Sequence, residues 1–182
     1  MELRIVISSR HILIGLIVIC WMIFIGLLMD AGIIISNTIF ALFINTKNAG
    51  YMGLASVYEA NESYFVILTT LMSIVAIMKA LLFYVIVHFF HSKKLDFARP
   101  FNVELGKFIS NISYLALGIG LFSYWGQNHS KGLRGQGLTL PEVQELKIGG
   151  ADVWIFMGVT LLVIAQIIKK GIEIQSENEL TV

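Results

Sequence analysis

Four long apolar runs with few charges constrain this 182-residue chain more than any other feature. They cover residues 12–29, 64–87, 108–125 and 151–168. Each run is close to the roughly 20 residues that an α-helix needs to cross a hydrocarbon core about 30 Å thick. The chain has 57% hydrophobic and 14% charged residues, whereas an ordinary soluble domain has about 25% charged residues. The pattern predicts an all-α fold, a four-helix transmembrane bundle that forms a single domain in the lipid bilayer.

The basic residues predict how the bundle is oriented. Four spans place the N-terminus, an inner loop (88–107) and a tail (169–182) on one side, and two outer loops (30–63 and 127–150) on the other. The first side carries eight lysines and arginines and the second carries four. Membrane proteins keep their lysine- and arginine-rich loops in the cytoplasm, so both termini are predicted to be cytoplasmic. The first run is longer than the apolar part of a signal peptide and lacks a cleavage site, so we expect an uncleaved helix.

The loops carry their own structural signals. The apolar segment Ala31–Thr46 either lies flat at the membrane interface or extends the first helix. In the second outer loop, a glycine-rich stretch precedes Thr139-Leu-Pro-Glu142, a capping box that predicts a short helix through Lys147. In the inner loop, Pro100 disfavours helix at the preceding residue. Asn102 is then the expected N-cap of the third span.

Polar residues inside the spans are the candidate site. Lys79 lies eight residues (87 − 79) from the inner end of the second span, roughly 12 Å of helix, and a charge there is costly enough to suggest function. Its candidate partners on spans three and four include Asn111, Ser113 and Gln166, which with Lys79 form a candidate intramembrane polar site. The alternative is a structural tie between helices, or a lysine that reaches a water-filled crevice.

The two aspartates near the outer interface have simpler explanations. Asp152 precedes the fourth span, where a carboxylate suits the positive end of a helix. Asp30 ends the first span, and its depth argues against a pairing with Lys79.

Small residues are spaced along spans three and four. They lie at helical intervals that let two backbones approach closely. The stripes predict packing between these two spans, or between protomers of a homo-oligomer; they consist of Ser113, Ala116, Gly120 and Ser123 on span three and Ala151, Gly158 and Ala165 on span four.

No catalytic, metal-binding or cofactor-binding residues are predicted. The spans contain no Ser/His/Asp set and no paired carboxylates, so we expect a protein that is not an enzyme. His11, His88 and His91 fall at one depth near the inner interface, and a metal or haem site is the alternative to ordinary edge residues. The net charge of +1 gives no bias toward nucleic acid, and no direct nucleic-acid binding is expected.

The second half of the chain resembles a known family. Gly150-Ala-Asp-Val-Trp-Ile-Phe-Met157, the tail from Lys169 to Val182 and Arg99-Pro-Phe-Asn102 resemble the bacterial membrane family called domain of unknown function 2975. The resemblance implies four spans and an acidic tail that ends in an Asn-acid-Leu-Thr-Val motif, in which Glu179 stands where an aspartate is commoner. It implies no known activity. It also implies a bacterial cytoplasmic (inner) membrane and, as a partner, a small cytoplasmic helix-turn-helix regulator.

Two interpretations of function follow. In the first, the chain is a non-enzymatic membrane sensor or tether that holds the regulator through the inner loop and a tail surface of Glu173, Glu177 and Glu179. In the alternative, it is a small transporter, or an immunity-type protein against membrane-active peptides, with Lys79 in the pathway.

Overall fold

The computed structural model describes residues 9–92 and 102–179, and the side chains from 14 to 92 and from 102 to 177. These residues form helices and connecting loops, and no strand occurs among them. The helices are α1 (Ser9–Phe43), α2 (Asn48–Tyr51), α3 (Ala55–Ala60), α4 (Glu62–His91), α5 (Val103–Gly135) and α6 (Ala151–Glu179). Four of them, α1, α4, α5 and α6, are long and apolar enough to cross a membrane. The predicted all-α fold with four spanning helices is therefore confirmed.

The four long helices are antiparallel neighbours that pack in chain order, α1 on α4, α4 on α5 and α5 on α6. Near one end, Phe89 of α4 stacks on Phe108 of α5, with ring centroids 3.9 Å apart. Near the other end, the Tyr64 and His129 rings meet at 6.2 Å. We call the first end, where α4 and α6 end and α1 and α5 begin, the terminal end. The opposite end holds α2 and α3 and is called the cap end.

The packing places α1 and α6 at the two edges of the row. Most large apolar side chains of α1 are exposed, among them Met22, Leu28 and Met29. An outward apolar face on a helix whose backbone groups are internally hydrogen-bonded suits contact with lipid. The core lies instead along α4 and the facing side of α5, where Phe65, Leu68 and Ile119 are fully buried.

The small residues bring α5 and α6 together. A Cβ built on Gly158 would lie 2.8 Å from the backbone nitrogen of Leu117. One built on Gly120 would lie 2.9 Å from the nitrogen of Ile155 and 3.1 Å from the oxygen of Ala151. Both glycines therefore mark places where the two helices approach too closely for a side chain, which confirms the predicted packing between spans three and four.

All four long helices are longer than the sequence predicts, and α1, α5 and α6 exceed their predicted spans the most. The first span continues to Phe43, so most of the segment 31–46 extends α1 and does not lie flat at an interface. The third span continues to Gly135, so residues 127–135 are helix and not loop. α6 passes through Gly171 to Glu179, so most of the predicted tail 169–182 is helix. A glycine inside a helix costs only about 1 kcal/mol relative to alanine, so it does not end a helix whose flanking residues favour it.

The predicted short helix at Thr139–Lys147 is wrong. Only one turn forms, in which the Leu146 N–H donates to the Glu142 oxygen at 3.0 Å and the Ile148 N–H donates to the Val143 oxygen at 3.1 Å. Carbonyls on both sides of this turn are bonded to side chains of other elements, so the turn does not propagate. The predicted N-cap is correct, because the Asn102 side chain accepts from the Leu105 N–H at 2.7 Å. Arg99 and Pro100 lie outside the described residues.

Candidate functional site

The connection between α5 and α6, residues 136–150, folds back along α5, and we call it the cap loop. α5 ends at Gly135, yet the first residue of α6, Ala151, lies against Gly120. The cap loop therefore returns by 15 residues of α5 (135 − 120), roughly 22 Å of helix. Two of its side chains, Leu146 and Ile148, are 1% and 0% exposed and belong to the core.

Side chains from three helices bind the carbonyl groups of the cap loop. Ser56 of α3 donates to the Thr139 oxygen at 2.5 Å, and Arg134 of α5 donates to the carbonyl oxygens of Leu140 and Pro141. Farther along, Gln127 of α5 donates to the Ile148 oxygen at 2.8 Å. A loop that lies against helices loses water as a hydrogen-bond partner, so these donors satisfy backbone groups that would otherwise be unpaired.

Lys79 of α4 is the remaining donor to this loop. Its Nζ atom donates to the Lys147 oxygen at 2.8 Å and lies 5.7 Å from the centroid of the Trp154 ring, a cation–π distance. The structural alternative stated for Lys79, a polar tie, describes these contacts. The tie joins α4 to the cap loop, and none of the predicted partners Asn111, Ser113 or Gln166 takes part in it.

Asp30 and Lys147 complete a charged cluster around Lys79. The Lys147 Nζ atom lies 3.3 Å from an Asp30 carboxylate oxygen, and both side chains remain more than a third exposed. Depth was expected to separate Asp30 from Lys79 because the first span was predicted to end at Met29; α1 instead continues to Phe43, so Asp30 lies inside it. The cap loop reaches the level of Lys79, so Lys147 contacts both Lys79 and Asp30. Lys147 adopts a positive φ of 60°, which a non-glycine residue rarely does unless other contacts hold it.

A cavity of about 300 Å³ lies beside this cluster at the cap end. Asp30 and Lys147 line it together with Glu145 and, from α2, Tyr51. Sequence reasoning did not find this site, because its residues come from four distant parts of the chain. The one local signal was the unexplained charge of Lys79.

The other members of the predicted intramembrane site lie nearer the terminal end. Ser113 is fully buried on α5 and donates to the Ser110 oxygen at 2.8 Å. Asn111 and Gln166 line a groove of about 440 Å³ between α5 and α6, which we call the α5/α6 groove. Lys107 and Lys169 line it too. The four predicted residues thus divide between two places, with Lys79 at the cap loop and the others near this groove.

The predicted tail surface lies on the last turns of α6. Glu173 and Glu177 are exposed and lie one helical turn apart, on the same face. The Lys170 Nζ atom contacts a Glu173 carboxylate oxygen at 3.1 Å, with both side chains about half exposed or more. The backbone of Glu179 ends α6, and its side chain lies outside the described residues.

The histidines do not form a common site in the described part of the chain. His88 stacks on Tyr84 with ring centroids 5.9 Å apart, and His91 is exposed at the end of α4. The side chain of His11 lies outside the described residues. Among those described, no group of three or more His, Cys, Asp or Glu residues is arranged to hold a metal ion. Asp152 lies in the first turn of α6, as expected.

Comparison with known proteins places most of the chain in one group. A family model described as protein of unknown function (DUF2975) matches residues 49–182, which is more than half of the chain. No curated protein and no solved structure matches it. The matched region includes the cap loop, the α5/α6 groove and the acidic end of α6.

Proposed function

We propose that this chain, which belongs to the DUF2975 family of proteins of unknown function, is a non-enzymatic membrane protein that tethers a small helix-turn-helix transcription regulator. The regulator would bind at the terminal end, which the distribution of basic residues predicts to be cytoplasmic. The membrane would be the bacterial cytoplasmic membrane. A homo-oligomer stays a prediction.

The observation that carries this proposal is the continuation of α6 through Glu179 as one helix. Gly106, in the first turns of α5, faces Ile168 and Ile172. The residues after Ile172 therefore approach and pass the start of α5, and they carry exposed glutamates at helical spacing. DNA-binding proteins present clustered lysines and arginines, and an acidic helix end is complementary to such a surface. The Lys170–Glu173 pair does not prevent this, because exposed pairs contribute only about 0–1 kcal/mol.

The same helix provides a physical connection to the other end of the molecule. α6 begins at Ala151, directly after the cap loop, and its 29 residues reach the acidic end without a break. At 1.5 Å per residue the helix is roughly 44 Å long. A signal that moves the cap loop would move the first turn of α6, and the helix would carry that movement to the bound regulator.

Charge reversal tests the tether. The variant Glu173→Lys/Glu177→Lys/Glu179→Lys should lose the regulator, because the attraction between opposite charges becomes repulsion. Its control, Glu59→Lys/Glu62→Lys, reverses two exposed charges at the cap end outside the cap loop and should retain the regulator. Both variants would be purified from native membranes in mild detergent, and co-purified protein would be quantified by mass spectrometry. Equal retention by the two variants would refute the tether.

A second candidate function rests on the charged cluster at the cap end. Asp30 and Lys147 line a cavity of about 300 Å³, which has the polar character expected of a small transporter or of an immunity-type protein that meets membrane-active peptides. Lys79→Met would remove the central donor. Loss of transport or of protection, with normal insertion and normal regulator binding, would favour this function over the tether.

A further inference from the structure

We infer that the α5/α6 groove binds one anionic phospholipid, with its phosphate between Lys107 and Lys169. The inference goes beyond the proposed tether and does not depend on it. It rests on the order of charged, amide and apolar side chains along the groove.

The two lysines lie at the level where the helices reach the terminal end. Lys107 is in the second turn of α5, and Lys169 lies opposite it, near the point where Ile168 faces Gly106. Both side chains line the groove and both are exposed. Basic pockets between membrane helices near the cytoplasmic surface are a known way to bind acidic lipid headgroups.

Two amides lie one turn deeper in the groove. Asn111 follows Lys107 by four residues, and Gln166 precedes Lys169 by three, so each amide shares a helix face with its lysine. Both amides are exposed on membrane-spanning helices, and neither has a hydrogen-bond partner among the described residues. An unpaired amide in an apolar medium costs several kcal/mol. The ester and glycerol oxygens just below a lipid phosphate are at the depth to satisfy them.

The remaining lining fits the hydrocarbon part of a lipid. Val103, Ala165 and Ile172 supply an apolar surface, and Gly106 lets α6 pack closely at the groove, since a Cβ there would already touch Ile168 at 3.7 Å. Glu173 is the one acidic residue in the lining, and Lys170 contacts its carboxylate at 3.1 Å. The groove therefore keeps the positive charge of Lys107 and Lys169, and its amphipathic order favours a lipid over a free anion.

The test is native mass spectrometry of the full-length protein in detergent, with phosphatidylglycerol, phosphatidylcholine or inorganic phosphate added. Wild type should retain one phosphatidylglycerol in preference to phosphatidylcholine. A lysine near an acidic lipid contributes about 1 kcal/mol, so Lys107→Gln/Lys169→Gln should weaken phosphatidylglycerol binding roughly 30-fold. Its matched control, Lys47→Gln/Lys131→Gln, removes two exposed lysines elsewhere and should leave binding unchanged.

Three results would overturn the inference. The first is unchanged phosphatidylglycerol binding by Lys107→Gln/Lys169→Gln, whose unfolding temperature is compared with wild type so that a loss of binding is not mistaken for unfolding. The second is an equal loss in the control, which would indicate general charge attraction. The third is competition by inorganic phosphate at the same concentration as the lipid, which would indicate a site for a soluble anion. Asn111→Leu/Gln166→Leu gives a further check that leaves the charge unchanged, and it should also weaken phosphatidylglycerol binding.

Discussion

The surroundings of three helical glycines predict how alanine at each will change stability, and Gly158 tests the contact between α5 and α6. At Gly158 the added Cβ would lie 2.8 Å from the Leu117 backbone nitrogen, and ordinary contact begins near 3.4 Å. One helix must therefore move by about 0.6 Å (3.4 − 2.8), because backbone atoms cannot turn away. At Gly118 the added Cβ would meet only the flexible end of Met78, which can change rotamer. At Gly26 it would meet nothing within 4 Å.

The expected magnitudes follow from two opposing effects. Overpacking a close contact typically costs 1–3 kcal/mol, whereas replacing a helical glycine by alanine gains about 0.8–1 kcal/mol in helix propensity. The difference between the two effects leaves a net loss of up to about 2 kcal/mol for Gly158→Ala, and places this variant about 1–3 kcal/mol below Gly26→Ala in stability. Gly118→Ala should change the free energy of unfolding by less than about 0.5 kcal/mol, because the gain in helix propensity offsets the cost of moving the Met78 side chain. Gly26→Ala should leave it unchanged or raise it by up to about 1 kcal/mol.

The assay is reversible unfolding in mixed detergent micelles, followed by tryptophan fluorescence in variants that keep Trp154, one turn from Gly158, and carry phenylalanine in place of Trp21 and Trp125. The order of stability should be Gly26→Ala, then Gly118→Ala, then Gly158→Ala. A Gly158→Ala protein as stable as Gly26→Ala would refute the close approach of α5 and α6. An equal loss in all three variants would instead show that alanine perturbs every helix alike.

Three further predictions concern the cap loop and a helix start. Lys79→Met should lower the free energy of unfolding by about 1–3 kcal/mol, because the carbonyl of Lys147 loses its charged donor. Lys131→Met, at an exposed position, should leave the free energy of unfolding unchanged. Thermal unfolding in detergent compares the two variants. Gly53→Ala should loosen the cap end, since Gly53 has a positive φ of 68° and an added Cβ would lie 2.5 Å from the Pro141 ring. Faster tryptic cleavage of the cap loop than in Gly50→Ala would show it. Asn102→Ala should cost about 1 kcal/mol through loss of the N-cap, and unchanged urea unfolding would contradict that reasoning.

The sequence predicts most of the membrane architecture because lipid imposes simple rules. Helix length and apolar composition are local properties, and they correctly identify four spanning helices. The N-cap at Asn102 and the packing of Gly120 and Gly158 against the partner helix are likewise confirmed, because each depends on one residue type at one position. The ends of the helices are less predictable. A glycine such as Gly171 can end a helix or lie inside it, and the helix preference of the neighbouring residues determines which occurs.

The candidate site shows where local reasoning stops. Lys79 is conspicuous in the sequence, but its partner is the backbone oxygen of Lys147, and any residue has such an oxygen. That contact exists because the cap loop returns along α5, which no motif in the loop indicates. The capping box at Thr139 predicts a helix, yet Ser56 bonds its carbonyl instead. Long-range contacts of this kind outweigh a short local preference.

The measurement that tests the account most directly is purification of the tagged wild-type protein from its native membrane in mild detergent, with mass spectrometry of the proteins that accompany it. If the chain is a tether, a small helix-turn-helix protein should co-purify with it in a fixed ratio. Recovery of the membrane chain alone, or only with other membrane proteins, would contradict the tether.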